Sequence, residues 1–331
     1  MSKLPSQTST YVGRFAPSPT GQLHQGSLLT AVASYLDARQ AQGQWLVRME
    51  DLDPPREQAG AADAILQSLE AHSLHWDQSV VYQSQRQSAY QERLHQLENQ
   101  NLCYPCDCNR QRLKSMPAYD GKCRHEPPRN SLSVATRLAL AADSDVSFDD
   151  LFQSHQRQQL NDEVGDFVIR RKDGLFAYQL AVVADDIDQG VTHVIRGVDL
   201  IDSTARQIYL FQLFQASTPI YGHLPVVVNE QGQKLSKQTF AAPLSNSDAS
   251  KNLWQAMQRL GLEPPKHIEN DNCEYLLQWG IRHWRRDLAP KCTQIMPSST
   301  SQSPKTPTYI GIKIANSGTH RPPHTPNKIR N

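Results

Sequence analysis

The segment at residues 14–27, Arg-Phe-Ala-Pro-Ser-Pro-Thr-Gly-Gln-Leu-His-Gln-Gly-Ser, carries residue types suited to binding a nucleotide phosphate. It leaves an apolar run at residues 11–15, turns through two prolines and a glycine, and is predicted to enter a helix near His24. That would bring an imidazole, a flexible glycine and a hydroxyl, from His24, Gly26 and Ser27, to a helix N-terminus. Backbone N–H groups at such a terminus favour phosphate, so we predict that these three residues bind ATP.

A second segment with phosphate-binding residue types lies far downstream. Lys234, Ser236 and Lys237 follow an apolar run at residues 224–229 and a predicted turn. If a carboxylate attacks the α-phosphate of ATP, negative charge develops on the departing pyrophosphate. His24 on one side and Lys237 on the other would stabilise that charge, so we predict both as catalytic residues and the lysine loop as part of the ATP site.

The elements that must position these residues alternate along the chain. Predicted strands lie at 11–15, 44–49, 80–83, 166–171, 176–183, 193–196 and 224–229, and predicted helices at 59–74, 84–101 and 203–214. Lys-Asp-Gly at residues 172–174 predicts a hairpin turn, and Ser203 is the predicted N-cap of the last of these helices. This alternation is typical of an α/β fold with a doubly wound, Rossmann-like parallel sheet. Ligands of such folds bind at the carboxyl ends of the strands, where both segments fall.

The two segments resemble signatures of a known enzyme family. Residues 14–27 resemble the first signature of class I aminoacyl-tRNA synthetases, and their first eight residues are similar to the glutamyl branch. Residues 234–238 resemble the Lys-Met-Ser-Lys-Ser motif of the same enzymes, with Leu235 for Met and Gln238 for the final Ser. The resemblance covers about residues 11–290. It implies a ligase that activates an amino acid with ATP and Mg²⁺.

The resemblance also implies which residues bind the amino acid, glutamate. They are Arg14, Phe15, Ala16, Pro17, Ser18, Glu50, Tyr178 and Arg196. Glu50 would pair with the ammonium group, and an arginine suits a carboxylate because its planar fork binds both oxygens. From the residue types alone, Tyr178 is equally compatible with a core aromatic, and Glu50 and Arg196 with a surface ion pair.

Four of the six cysteines lie close together in the sequence, namely Cys103, Cys106, Cys108 and Cys123. In a cytosolic protein such a cluster more often binds a metal than forms disulfides. Cys-Asp-Cys followed by Tyr119 and then Cys123 resembles the Cys-x-Cys…Tyr-x-x-x-Cys zinc site of short glutamyl-tRNA synthetase paralogues. The resemblance implies one structural Zn²⁺ bound by Cys106, Cys108, Tyr119 and Cys123. Four thiolates including Cys103, a ligand at His125, and thiols without metal are the alternatives.

Charge and hydropathy limit the class of protein. The formal net charge is +1, yet residues 291–331 contain six Lys or Arg and no acidic residue, so the rest of the chain is net negative. Any nucleic-acid surface must therefore be a local patch. The first ten residues have no apolar signal core, and no run approaches the roughly 20 apolar residues that span a bilayer. We expect a cytoplasmic monomer without membrane contact.

These patterns divide the chain into five expected regions. They are the first half of the catalytic domain at 1–102, a zinc-containing insertion at 103–165, the second half with the lysine loop at 166–247, a small C-terminal helical portion at 248–290, and a disordered tail at 291–331. We assign the tail no role, the alternative being a basic RNA-binding arm.

The length of the C-terminal helical portion bears on which molecule receives the activated glutamate. A glutamyl-tRNA synthetase continues past its lysine motif with a long helical anticodon-binding region, whereas only residues 248–287 fit helix here. This plan resembles the short paralogues of the glutamyl branch, which activate glutamate without tRNA and attach it to queuosine at the wobble position of tRNA(Asp). The implied partners are ATP, L-glutamate and queuosine-containing tRNA(Asp). A truncated synthetase charging a tRNA 3′ end, a related nucleotidyltransferase and a non-catalytic RNA-binding paralogue are the other hypotheses.

Overall fold

A computed structural model describes residues 10–114, 116–129, 133–229, 243–296 and the backbone of 309–310. Its helices are α1 (Gln25–Gln40), α2 (Ala61–Ala71), α3 (Gln87–Asn99), α4 (Arg110–Leu113), α5 (Lys122–His125), α6 (Leu160–Glu163), α7 (Tyr178–Asp188), α8 (Ile201–Leu213), α9 (Ala249–Arg259) and α10 (Cys273–His283). Its strands are β1 (Val12–Phe15), β2 (Gln44–Met49), β3 (Val81–Tyr82), β4 (Cys103–Cys106), β5 (Ala135–Leu138), β6 (Asp145–Asp150), β7 (Ser154–Gln159), β8 (Phe167–Arg170), β9 (His193–Gly197), β10 (Ile220–Leu224), β11 (Val226–Val227), β12 (Gln294–Ile295) and β13 (Tyr309–Ile310). Within these ranges, no helix is both long and apolar enough to cross a membrane.

The main sheet is parallel, with the strand order β10-β9-β1-β2-β3. The chain runs outward from β1 through β2 to β3, and then returns to the other side of β1 with β9 and β10. The direction of winding thus reverses between β1 and β9, and in doubly wound sheets the ligand crevice opens at that point. The predicted Rossmann-like α/β fold is confirmed.

Apolar residues cover both faces of this sheet. One cluster combines α1, α2, α9 and α10 with β2, and the other combines α3, α7 and α8 with β10. Neighbouring residues of β9 belong to different clusters, Val194 to the second and Ile195 to the first. Since successive strand residues point to opposite faces, both faces of β9 are buried, as is usual for a parallel sheet.

Two smaller antiparallel units lie between β3 and β9 in the sequence. One is the sheet β4-β5-β8, and the other is the hairpin β6–β7. The hairpin joins the main sheet at its edge, because the N–H of Leu151 donates to the carbonyl of Tyr221 in β10 at 2.9 Å. A Cβ on Gly222 would lie 2.7 Å from the Phe152 ring, so this glycine allows the close approach.

The strand predicted at 176–183 is wrong, because this segment begins α7. The hairpin itself forms only one bridge, between Arg170 and Phe176, and the helix starts two residues later. Residues 179–186 are all buried, so the helix lacks an exposed polar face. A helix buried on all sides reads as a continuous apolar run, which periodicity alone does not distinguish from a strand.

Two further predictions need correction near α8 and β10. The helix α8 begins at Ile201 after Leu200, so Ser203 lies inside its first turn rather than at its N-cap. Strand β10 was not predicted. Of the run at 224–229, Val226–Val227 forms β11, which pairs with β12 in a separate sheet.

The C-terminal helical portion is present as α9 and α10, which pack on α1. Residues 294–295, part of the predicted tail, form β12, and Ile295 is buried in the first apolar cluster. Residues 297–331, apart from the backbone of β13, lie outside the described residues.

Candidate active site

A cleft of about 480 Å³ opens at the carboxyl ends of β1, β2 and β9, where the sheet reverses its winding. The predicted glutamate and ATP residues that line it are Arg14, Phe15, Ala16, Pro17, Ser18, Glu50, Tyr178, Arg196, His24, Gly26 and Ser27. The structure thus brings together predicted residues from four separate parts of the chain, namely 14–27, 50, 178 and 196. The predicted residues Lys234, Ser236 and Lys237 lie outside the described residues.

His24 is the N-cap of α1. Its Nδ1 accepts hydrogen bonds from the N–H groups of Gly26, at 3.1 Å, and Ser27, at 3.3 Å. In return the Ser27 Oγ accepts from the His24 N–H at 3.0 Å, which completes a capping box. Because Nδ1 accepts, the proton of the neutral ring lies on Nε2. The fold therefore presents His24 as a donor at the start of the helix.

Arg196, at the end of β9, is 3 % exposed and only partly satisfied. Its Nε donates to His223 Nε2 at 3.0 Å, and its Nη2 donates to Thr204 Oγ1 at 2.8 Å and to the Leu200 carbonyl at 3.3 Å. Its Nη1 has no hydrogen-bond partner among the described residues. A buried guanidinium nitrogen without a partner is costly, so an anionic ligand in the cleft would remove that cost.

Glu50 follows β2, and its side chain is 9 % exposed. Its backbone N–H donates to the Pro17 carbonyl at 3.0 Å, which fixes the strand end against the first signature. Burial raises the pKa of Glu50 to about 6, although the nearby Arg48 and Arg14 guanidinium groups oppose this. At neutral pH the cleft therefore contains a poorly solvated carboxylate suited to a cationic group.

A buried charge network that the sequence did not predict lies beneath the cleft. Arg48 is fully buried in β2, with its Nη2 2.7 Å from Asp186 Oδ1 and its Nε 3.6 Å from Asp185 Oδ2. Arg14 Nε lies 3.4 Å from the same Asp186 oxygen. Burial would raise the pKa of Asp186, but Arg48 and Arg14 together hold it below its usual value. The sequence signal that could have indicated this network is the presence of Arg48, Asp185 and Asp186 within otherwise apolar segments.

Tyr178 is the first residue of α7 and lines the cleft beside Arg196. Burial raises its pKa, and the Glu50 charge adds to that shift. The phenol therefore stays protonated and keeps its hydrogen-bond donor.

Three cysteines of the insertion form a second candidate site. The Sγ atoms of Cys106, Cys108 and Cys123 all lie within 4.8 Å of one another, so they could hold a metal ion. The Tyr119 hydroxyl is 3.6 Å from Cys106 Sγ and 3.8 Å from Cys108 Sγ. Burial opposes ionisation of Cys106, but hydrogen bonds, first of all from Arg137 at 3.2 Å, lower the pKa of this thiol to about 7. A thiolate suits a soft divalent metal.

Cys103 and His125 are not members of this group in the described part of the chain. Cys103 packs against the second apolar cluster, and burial raises the pKa of its thiol to about 12. Its partly buried side chain thus has the character of an apolar residue. Of these residues, Tyr119 is the one whose hydroxyl lies beside the three thiols.

Comparison with known proteins gives a consistent result. Residues 11–270 match the family "tRNA synthetases class I (E and Q), catalytic domain". The glutamyl-Q tRNA(Asp) synthetase of Neisseria gonorrhoeae is 50 % identical over 291 residues, covering 85 % of this chain and 98 % of the relative. The protein of the same name from Pseudomonas fluorescens is 45 % identical over 297 residues, covering 89 % of this chain and 99 % of the relative.

A solved structure agrees at the level of the fold. The glutamate tRNA ligase of Elizabethkingia meningosepticum has a TM-score of 0.73 at 22 % identity, covering 87 % of this chain and 67 % of that one. Two conclusions follow from the relatives and the family match. The protein is a ligase, and the chain belongs to the class I tRNA synthetases of the glutamate and glutamine type.

Proposed function

We propose that this enzyme activates L-glutamate with ATP and Mg²⁺ in the absence of tRNA, and then transfers the glutamate to queuosine at the wobble position of tRNA(Asp). Relatives that are 45–50 % identical carry the name glutamyl-Q tRNA(Asp) synthetase. The observation that carries the choice of amino acid is the buried Arg196, which has one nitrogen without a partner among the described residues, in a cleft that also contains Glu50.

The cleft offers a complementary group for each charge of glutamate. Arg196 would bind the side-chain carboxylate, and Glu50 would bind the ammonium group. Tyr178 would add a neutral donor, and the turn at residues 15–18 would form the wall next to the substrate. A glutamine side chain presents an amide and leaves the guanidinium charge without a counter-charge, so the same contacts would favour glutamate.

The start of α1 would bind ATP. His24 would donate from Nε2 to the phosphates, while Gly26 and Ser27 allow the nucleotide to approach the first turn. Lys234, Ser236 and Lys237 complete the ATP site in this proposal, with Mg²⁺ supplying further neutralisation of phosphate charge. Carboxylate attack on the α-phosphate forms the glutamyl-adenylate anhydride and releases pyrophosphate.

Pyrophosphate–ATP exchange without RNA tests the activation step. Glutamate should support exchange, and Lys237→Ala should lower its rate constant with little change in the KM for glutamate, since the lysine charge acts mainly as pyrophosphate separates. Exchange at the wild-type rate in Lys237→Ala would show that the assigned role is wrong. Strict dependence of exchange on tRNA would indicate an ordinary glutamyl-tRNA synthetase instead.

The acceptor is tested with two forms of tRNA(Asp). We expect radiolabelled glutamate to reach tRNA that carries queuosine but has lost its 3′-terminal adenosine. We expect no transfer to the same tRNA with guanosine at the wobble position. An anticodon loop offers an unstacked base that a protein pocket can accept, and its diol would attack the adenylate carbonyl once it is held close. Failure of the trimmed, queuosine-bearing tRNA to accept glutamate would identify a terminal-charging enzyme.

The cysteine site is proposed to bind one structural Zn²⁺ through Cys106, Cys108, Cys123 and Tyr119. Three thiols and a phenol within contact distance fit a four-coordinate ion, which would hold together a small loop-rich insertion. Elemental analysis should find one zinc per chain, and Cys108→Ser should release it. If Cys103→Ser loses zinc while Tyr119→Phe retains it, the four-thiolate alternative is the correct one.

A further inference from the structure

We propose that Asp150 and His223 are positioning residues that hold Arg196 in the orientation required to bind the substrate carboxylate. This relay, defined as Asp150–His223–Arg196, rests on the proposed function of Arg196 and extends it to two residues outside the cleft. It would make amino-acid specificity depend on a hydrogen-bond chain that starts in the β6–β7 hairpin.

The relay is fully buried and continuous. The side chains of His223 and Asp150 are both 0 % exposed, and His223 Nδ1 lies 2.5 Å from Asp150 Oδ2. On its other side, His223 Nε2 lies 3.0 Å from Arg196 Nε and 3.1 Å from Thr204 Oγ1, which also accepts from Arg196 Nη2. One ring therefore joins a carboxylate to a guanidinium, with a hydrogen bond on each ring nitrogen.

The donors and acceptors allow only one protonation state of this ring. A guanidinium nitrogen can only donate, so His223 Nε2 must accept from Arg196. The ring proton then lies on Nδ1, which donates to Asp150. Burial lowers the pKa of His223, the Asp150 hydrogen bond opposes that shift, and the Arg196 charge adds to it. The ring is therefore neutral, with its tautomer fixed by the carboxylate.

Asp150 is itself anchored by the backbone. Its Oδ1 accepts from the N–H groups of Phe152, Gln153 and His223, each at 3.0 Å. These bonds lock the carboxylate against both the hairpin turn and β10. The orientation of Arg196 thus depends on backbone positions in two separate elements.

The His223 imidazole separates the Asp150 carboxylate from the Arg196 guanidinium, and this has an effect that a direct ion pair would not have. A carboxylate placed directly on Arg196 would compete with the substrate carboxylate for the same charge. A neutral ring orients Nε without adding a negative charge beside the guanidinium. Arg14, by contrast, is held by a direct ion pair, because its Nε lies 3.4 Å from the Asp186 carboxylate. The relay therefore suits an arginine that must bind an anion.

The kinetic test compares Asp150→Asn and His223→Ala with His72→Gln. His72 is equally buried and bonds the Ser68 carbonyl, but it does not line the cleft, so it controls for loss of a buried histidine. In glutamate-dependent exchange, we expect the two relay variants to raise the KM for glutamate about 10- to 100-fold, by analogy with outer-shell metal partners. The KM for ATP should stay within about twofold, and His72→Gln should change neither KM. Equal changes in both KM values would overturn the relay.

The second test uses the wild-type protein and does not depend on activity. Long-range ¹⁵N–¹H spectra should show His223 as the neutral ring with its proton on Nδ1 at pH 7. A charged ring, or a proton on Nε2, would contradict the relay even if every variant failed to fold. Absence of glutamate-dependent exchange in wild type would refute the proposed function, whereas the spectra decide the relay geometry separately.

Discussion

The cleft at the start of α1 and the polar cluster at its other end differ in how completely their buried charged groups are hydrogen-bonded. In the last turn of α1, Asp37 is 3 % exposed and accepts from Tyr11 at 2.6 Å, Trp284 at 2.8 Å and Arg286 at 2.8 and 2.9 Å. Both of its oxygens are bonded. At the cleft, Arg196 is as deeply buried, yet its Nη1 lacks a partner among the described residues.

The difference separates a structural role from a ligand-binding one. Trp284 and Arg286 follow α10, so the Asp37 cluster fastens the C-terminal helical portion to the catalytic sheet. A fully satisfied cluster of this kind has no capacity left for a ligand. Among the described residues, Arg196 Nη1 has no acceptor, so it could still donate a hydrogen bond to a substrate carboxylate, as a binding site requires.

The largest expected effect is on activity at the cleft. Arg196→Ala should lower kcat/KM for glutamate by about a hundredfold or more, because it removes one partner of a buried charged contact. Some loss of stability should accompany this effect, because His223 and Thr204 lose the hydrogen bonds that Arg196 donates, so the kinetics are measured on protein shown to be folded. Arg285→Ala, which removes a surface arginine paired with Asp287, is the control and should leave exchange unchanged. If Arg196→Ala lowered stability without changing kcat/KM, the cleft would not differ in role from the Asp37 cluster at the other end of α1.

The opposite outcome is expected at the far end of α1. Asp37→Asn should lower the free energy of unfolding by about 2 kcal/mol, a value reduced from that of a fully buried pair because Arg286 is 38 % exposed. The KM for glutamate should not change in protein that remains folded. Denaturant titration measures the first quantity and exchange kinetics the second. The exposed variant Asp287→Asn should show no measurable loss of stability.

The smallest expected effect is a pH dependence at the cleft. Because burial raises the pKa of Glu50 to about 6, its charge is present above that pH and is lost below it. The kcat/KM for glutamate should therefore be level above pH 7 and fall up to about tenfold per pH unit below pH 6. Glu50→Gln should weaken glutamate binding and abolish this limb of the profile. A profile that remains unchanged in Glu50→Gln would assign the titration to another group.

Arg14 to Ser18, Glu50 and His24 to Ser27 were predictable because they lie in contiguous signatures or at strand ends, whereas Tyr178 and Arg196 were implied by the family resemblance. Arg14 to Ser18 and His24 to Ser27 each form one local unit, and strand ends meet at one edge of a parallel sheet. The relay residues were not predictable, since Asp150 and His223 become neighbours only when the hairpin packs on β10. The strand β12 escaped prediction for the same reason, because its partner β11 is distant in sequence. The expected division into five regions stays a prediction.

The account's central claim is that the cleft is built for a side-chain carboxylate. Calorimetric titration of the wild-type protein with L-glutamate and with L-glutamine, both in the presence of a non-hydrolysable ATP analogue, tests it most directly. We predict that glutamate binds at least about tenfold more tightly than glutamine, because only glutamate supplies an anion to the incompletely bonded Arg196. Equal affinities, or tighter binding of glutamine, would contradict the account.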